Sequence, residues 1–307
     1  MRFTDSLADV TSRYLLEAGG KRVRPMLTLL CAQLGDGASP GVVTAAIAVE
    51  ITHLASLYHD DVMDEAQLRR GVPATHTVWG NSVAVLTGDL LFARASKLIA
   101  SLGERAIQLQ ADTFERLCLG QLHETTGPQG DEDEIEHYLG VLSDKTGSLI
   151  AAAAEFGVVF SGAQQAFERP LRTFGENVGV AFQLVDDVID LSGERDDTGK
   201  PAGTDLRAGV ATLPLLRLRR RAATDGAARD LMQALDEHVI GVPEGAGDDE
   251  AARQAIAELR EHPVTAQTRD EARDWARRAV ESLAPLPDGL VKRSLSRFAV
   301  SIVERSK

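Results

Sequence analysis

Two acidic clusters, Asp60-Asp61-Val62-Met63-Asp64 and Asp186-Asp187-Val188-Ile189-Asp190, repeat the pattern DDxxD. On a helix the first and last carboxylates of such a cluster lie one turn apart on the same face. That spacing grips a hard dication while leaving positions for water and phosphate oxygens, the usual way Mg²⁺ is held beside phosphates. One copy alone is equally well explained as a solvated acidic face. Here the first copy follows the mostly apolar His53-Leu54-Ala55-Ser56-Leu57-Tyr58, and the second follows Phe182-Gln183-Leu184-Val185. Neither extends a surface charge run, and the recurrence favours chemistry.

Cations gather near these carboxylates. Gly19-Gly20-Lys21-Arg22-Val23-Arg24-Pro25 sets three of them in a tight turn before a helix, a shape suited to an anionic oxygen cluster. Arg69-Arg70-Gly71 follows the first acidic cluster with two guanidiniums, each able to fork onto phosphate. Lys145-Thr146 and Lys200 add point charges and a hydroxyl. Paired carboxylates beside separate cations imply two anionic ligands, one bridged by metal and one held directly by side chains.

The elements that must position these groups are helical. Aromatics are 5% of 307 residues, Ala and Leu dominate, and apolar residues recur at three- and four-residue spacing. The pattern predicts helices after Pro25 and over 42–63, 81–101, 104–124, 132–144, 146–162, 165–191, 211–235, 249–260, 265–283 and 289–305. No Asn-Gly or Asp-Gly hairpin signature appears. With no low-complexity linker, the reading is one all-α domain over residues 1–307.

Composition removes other classes. The net charge of −13 argues against nucleic acid as a partner and against a polybasic membrane anchor. Cys31 and Cys118 sit in apolar runs and read as buried thiols. The start of the chain lacks a signal-peptide pattern, and the best apolar run, from Leu149 to Phe160, is broken by Glu155. The expectation is a cytoplasmic protein without a stable membrane anchor.

Taken together, and in this order, the Gly19–Pro25 turn, Asp60–Gly71, Lys145-Thr146 and Phe182–Asp190 resemble the motifs of the trans-polyprenyl diphosphate synthases; Thr87-Gly88-Asp89-Leu90-Leu91-Phe92 resembles a helix start of that family. The resemblance spans nearly the whole chain. It implies a single large helical bundle of the isoprenoid synthase type around a deep central cavity, with the two DDxxD motifs facing each other across its mouth. It also implies a homodimer and Mg²⁺ as cofactor, about three ions per active site. Asp60, Asp64 and Asp186 would ligate the metal, with Asp61, Asp187 and Asp190 in support or binding through water. Arg69, Lys145 and Lys200 would help hold an allylic diphosphate; Lys21, Arg24, His53 and Arg70 would hold isopentenyl diphosphate. Thr146 and Gln183 would offer oxygen dipoles to the carbocation, and the departed diphosphate would take the final proton.

Two departures from the family stand out. A Lys common in a later Gly-Lys-x-Thr-Leu-Pro stretch is Val210 here, with Arg207 nearby as a possible substitute. The basic turn also comes so early that the usual leading helix looks short. Ala55 and Ser56, just before Asp60, lie one turn below the first metal site as the floor of a product tunnel; both are small, so the expected product is geranylgeranyl length or longer. Alternative readings are a class I terpene cyclase, which would normally lack the second DDxxD and the second set of cations, and a non-catalytic subunit of a hetero-oligomeric synthase, which would be expected to lose metal-binding Asp.

Overall fold

A computed structural model of the chain describes residues 2–192, 202–242, 245–247 and 249–304. In chain order the helices are α1 (Ser6–Glu17), α2 (Val23–Cys31), α3 (Pro40–Met63), α4 (Thr75–Trp79), α5 (Asn81–Ala100), α6 (Glu104–Thr126), α7 (Glu134–Leu142), α8 (Ser148–Phe160), α9 (Glu168–Ser192), α10 (Thr204–Arg207), α11 (Leu213–Ala222), α12 (Gly226–His238), α13 (Asp249–Glu261), α14 (Pro263–Ser282) and α15 (Leu290–Glu304). Among the described residues the strands are two short ones, β1 (Leu68–Arg69) and β2 (Val72–Pro73), between α3 and α4. The fold is all-α, as the apolar periodicity predicts. Contacts divide the chain into two units, Met1–Glu115 with Leu149–Gly175, and Arg116–Ser148 with Glu176–Lys307.

In the first unit α3 is the central element. Ser39 caps it by accepting the Val42 N–H at 3.2 Å, and Pro40 occupies its first turn, where a missing N–H costs nothing. Leu54, Ala55 and Tyr58 of α3 pack with Leu15 of α1 and with Leu91 and Ala95 of α5. Tyr58 adds a polar anchor inside this core: its hydroxyl donates to Thr11 O at 2.5 Å and accepts the Leu15 N–H at 3.3 Å. These bonds tie down α1, a twelve-residue leading helix capped by Asp5. The leading helix is thus a short one, as the early basic turn predicts, and Tyr58, far along the chain, completes its packing.

Among the described residues α3 is the one helix long and apolar enough to cross a membrane, and 67% of its apolar window is buried within the protein. In α8, Glu155 is buried, and Arg172 grips it through two bonds of 2.7 and 2.6 Å. That pairing offsets the desolvation of a carboxylate inside an alanine-rich helix.

In the second unit, Leu206, Leu215, Leu218, Leu231, Leu235 and Leu259 form the core that joins α10 through α13. The helix expected over 211–235 is two helices. The first ends at Ala222, and Asp225 caps the second by accepting the Ala227 and Ala228 N–H groups, a local cap that overrides the continuous apolar period. Other expectations shift by smaller amounts. The helix expected after Pro25 begins at Val23 and holds Pro25 in its first turn. Thr87–Phe92 lies in the interior of α5 rather than at a helix start. Cys31 is buried as expected, whereas Cys118 is exposed, because its place on α6 turns it away from buried Leu117.

Candidate active site

In the first unit the basic turn and the Arg69-Arg70 pair are built from strained backbone. Arg22 and Arg70 adopt left-handed φ values of 52° and 54°. For a residue with a Cβ each costs on the order of 1–2 kcal/mol. Arg70 and Gly71 (φ 78°) form the two-residue turn between β1 and β2, where Arg69 pairs with Val72. Both central residues have φ > 0, the mirror-image turn that suits hairpin twist and usually carries Asn-Gly. The hairpin escaped sequence reading because Arg replaces Asn. Side-chain bonds offset its strain: Arg70 Nη1 donates to Leu15 O at 2.6 Å and Gly19 O at 2.5 Å. Arg22 donates to Glu50 Oε1 and to Leu16 O, both at 2.7 Å. A Cβ added to Gly20 would lie 2.9 Å from both guanidiniums, so glycine is what lets the loop lie between them.

These guanidiniums act on His53. Burial, then the positive charges of Arg24, Arg70, Arg69 and Arg22, hold its imidazole well below the usual histidine range, so it is neutral near pH 7. Burial also draws the Arg24 guanidinium down to about 10, against the pull of Glu50; it remains charged at neutral pH. Arg24 Nε is buried without a hydrogen-bond partner among the described residues. Neutral imidazole, charged guanidiniums and one buried carboxylate make a cradle suited to an anion. His59, beside the first acidic motif, is packed: its Nε2 lies 3.0 Å from Val85 O, and its ring lies against Phe92. Gly88 of α5 admits that ring; a Cβ there would meet Nε2 at 2.3 Å.

The first DDxxD motif ends α3. Asp60 is in the last turn, and Asp64 is the cap residue, its N–H donating to Asp60 O at 2.8 Å. Asp61 is fully buried and its Oδ1 accepts the Arg69 Nε hydrogen at 2.6 Å. Burial raises the Asp61 carboxyl above its ordinary range, and Arg69 opposes that shift. Asp61 therefore orients Arg69. Ala55 is fully buried in the α3–α5 core, and Ser56 is largely buried, its hydroxyl donating to His53 O.

In the second unit, Lys145-Thr146 lies in a π turn, Ser143–Gly147, wedged between α7 and α8. Such turns widen the helix and re-aim side chains, and they occur often at functional sites. Arg116 holds this one, donating to Asp144 at 2.8 Å and to Glu176 of α9 at 2.5 Å. A Cβ on Gly120 would lie 2.6 Å from Lys145 N, and one on Gly179 would lie 2.5 Å from Gly147 Cα. Backbone from α6 and α9 thus closes directly on the turn. Lys145 Nζ is salt-bridged to Glu124 of α6, a partner the sequence offered no signal for.

The second DDxxD motif occupies the C-terminal turns of α9. Asp187 is buried, accepts from the Tyr138 hydroxyl at 2.8 Å and the Leu213 N–H at 3.3 Å, and burial pushes it up to about 8. Asp190 is buried and caps α10 through the Asp205 N–H. Asp186 and Gln183 lie on the same helix, both half-buried. Lys200 lies outside the described residues. Val210 is exposed, and Arg207 points to Val242 O at 3.3 Å, so Arg207 is occupied locally rather than standing in for the missing Lys.

A dication fits both motifs on electrostatic grounds. Each ends a long helix with no basic residue in its last turn, where the negative end of the helix dipole disfavours each carboxylate by about 0.3–1 kcal/mol. Among the described residues no three His, Cys, Asp or Glu side chains form a preassembled metal cage. Mg²⁺ needs none, since it keeps waters and takes phosphate oxygens along with one or two carboxylates.

Residues 6–241 match the model of the polyprenyl synthetase family. The chain belongs to that family. Among polyprenyl synthetase relatives, it is 45% identical to the nonaprenyl diphosphate synthase of Mycobacterium tuberculosis, over 99% of this chain and 89% of that one. It is 36% identical to a dimethylallyltranstransferase of the same organism, over 95% and 86% of the two chains. A solved geranylgeranyl pyrophosphate synthase from Corynebacterium glutamicum, complexed with calcium and isoprenyl diphosphate, superposes with a TM-score of 0.84 at 40% identity, covering 99% of this chain and 90% of that one. A polyprenyl synthase from Caulobacter crescentus CB15, likewise complexed with calcium and isoprenyl diphosphate, gives 0.88 at 34% identity, covering 100% and 92%. Like these relatives, this polyprenyl synthetase is a prenyltransferase that condenses prenyl chains.

Proposed function

We propose that the enzyme joins isopentenyl diphosphate head-to-tail to an allylic diphosphate, giving a trans-polyprenyl diphosphate of geranylgeranyl length or longer. The observation that carries the substrate assignment is the cradle around neutral His53, on which four guanidiniums converge. Lys21, Arg24, His53 and Arg70 bind the diphosphate of isopentenyl diphosphate there. Arg69 and Lys145, with Lys200, bind the allylic diphosphate. Asp60, Asp64 and Asp186 hold Mg²⁺, about three ions per site, with Asp61, Asp187 and Asp190 in support; when bound, the metal neutralises charge on the leaving diphosphate.

Arg69 and Lys145 stabilise the same developing charge as the allylic carbon–oxygen bond ionises. Thr146 and Gln183 present oxygen dipoles to the carbocation, and the double bond of isopentenyl diphosphate attacks it. The resulting cation loses a proton to the departed diphosphate. Ala55 and Ser56 leave room below Asp60 for a growing chain.

Residues 1–307 work as one domain in this reading, since the unit boundaries fall inside α6, α8 and α9. The enzyme acts as a cytoplasmic homodimer without a membrane anchor. Its two unpaired thiols suit a reducing compartment, and Leu86 and Leu90 leave an exposed apolar stripe on α5. Light scattering and cell fractionation check these assignments.

The deciding assay supplies purified protein with Mg²⁺, isopentenyl diphosphate and one of dimethylallyl, geranyl, farnesyl or geranylgeranyl diphosphate, then sizes the products. Elongation to C20 or beyond is expected. No elongation from any primer sinks the proposal, and a cyclic hydrocarbon from a single diphosphate would replace it with cyclisation.

A further inference from the structure

Arg22 has no substrate role in the cradle described above, yet it is the residue on which the basic turn is hung. Its left-handed backbone costs free energy. Its guanidinium is spent inside the protein, one nitrogen on Glu50 Oε1 and the other on Leu16 O. Glu50 is buried on α3, one turn before His53. A buried carboxylate facing an anion-binding site opposes the binding of any anion, so its presence calls for a reason.

The charges around it supply one. Arg24 and Arg70 repel each other, and Arg22 and Arg69 repel Arg70, while Glu50 attracts both Arg24 and Arg70. Like charges packed this closely spread apart unless something opposes them. A bound diphosphate opposes them in the complex; Glu50 does so beforehand. Arg22 meanwhile bridges α3 to the end of α1, setting the Gly19–Lys21 loop between the Arg22 and Arg70 guanidiniums, where Gly20 leaves space for it.

We infer that the Glu50–Arg22 pair is a positioning device that assembles the isopentenyl diphosphate cradle before substrate arrives. The inference rests on the assignment of that cradle to isopentenyl diphosphate. Glu50 and Arg22 touch no substrate; they act through Lys21, Arg24 and Arg70. Pre-organisation of this kind lowers the ordering cost of binding one substrate and leaves the other substrate's site alone.

The test is steady-state kinetics of the full chain with each substrate varied in turn. Arg22→Lys keeps the charge but cannot bridge Glu50 and Leu16 O at once. It should raise KM for isopentenyl diphosphate about tenfold, the worth of a lost charge-assisted hydrogen bond, while KM for the allylic primer and kcat stay within about twofold. Glu50→Ala should match or exceed this effect. Glu50→Gln, which still accepts from Arg22, should recover part of the loss and covers the case in which the alanine variant fails to fold. Equal rises in both KM values, a fall in kcat alone, or wild-type kinetics in Arg22→Lys would overturn the inference, since a merely structural ion pair has no reason to favour one substrate. Lys21→Ala, at an exposed position of the basic turn, separates the two levels. If it raises KM for isopentenyl diphosphate and Arg22→Lys does not, the positioning role alone falls. If neither variant changes that KM, the cradle assignment falls and takes the positioning role with it.

Discussion

Arg69 Nε lies 2.6 Å from Asp61 Oδ1, and the carboxylate's other oxygen, Oδ2, is buried with no hydrogen-bond partner among the described residues. A fully buried carboxylate with one side unsatisfied is costly. The site keeps it because Asp61 aims Arg69 and places negative charge beside Asp60 and Asp64 at a helix end. Asp61→Ala should lower stability by about 1–3 kcal/mol, the penalty for stripping a charged partner, and should raise KM for the allylic primer. Asp61→Asn, which still accepts from Arg69, should be milder on both counts. Urea unfolding and primer titration check the two effects separately.

Lys145 is held by Glu124 in the second unit, so under the proposed function an incoming diphosphate has to take that cation from the carboxylate. The pair is partly exposed, so its worth is small. Glu124→Gln should free Lys145 and lower KM for the allylic primer by up to about fivefold. The gain should shrink as salt is added, because screening weakens the pair in the wild-type enzyme. An unchanged KM at low salt would show that Lys145 does not meet the primer.

Ala55 and Ser56 make different tests of the tunnel floor. Ala55 is fully enclosed by the α3–α5 core, where Phe would overpack by about 1–3 kcal/mol. Ser56 is also buried but is not among that cluster. Both Ser56→Phe and Ala55→Phe should therefore shorten the product and lower the melting temperature, Ala55→Phe the more because it is fully enclosed. Chromatography of extracted products reads the first effect and thermal unfolding reads the second.

His53 links stability to pH. Its folded-state pKa is depressed, so between that value and the ordinary 6.5 the unfolded chain carries a proton that the folded chain does not. Stability then rises with pH through this window and falls on acidification below 6.5, by at most about 1.4 kcal/mol per pH unit for one group. His53→Gln should flatten the dependence between pH 5 and 7. Denaturant midpoints across that range give the slope, and an unaltered slope would place the titration in another group.

The chemistry was largely legible along the chain. DDxxD read as carboxylates one turn apart because helical geometry is local, and both motifs do lie on helices, α3 and α9. The extents of α5, α6, α13 and α14 followed closely from apolar period and proline placement. Local signals also misled where a short-range cap competed with the period, as at Asp225, or where a turn used an uncommon residue, as at Arg70. A short leading helix followed from the early basic turn; its anchor did not, because Tyr58 lies forty-three residues beyond Leu15.

Helix period, carried by neighbours within a turn or two, was enough for an all-α fold, and the order of two acidic motifs and a basic turn carried the family resemblance that implied a prenyltransferase. Pairing across long separations required the folded chain: Arg22 with Glu50, Lys145 with Glu124, Tyr138 with Asp187, and a π turn closed by Gly120 and Gly179. Each depends on side chains or backbone from different helices meeting within a few ångströms. No local spacing rule encodes such meetings, because they arise from how the helices pack, and packing sums weak contacts from the whole unit rather than from any one segment.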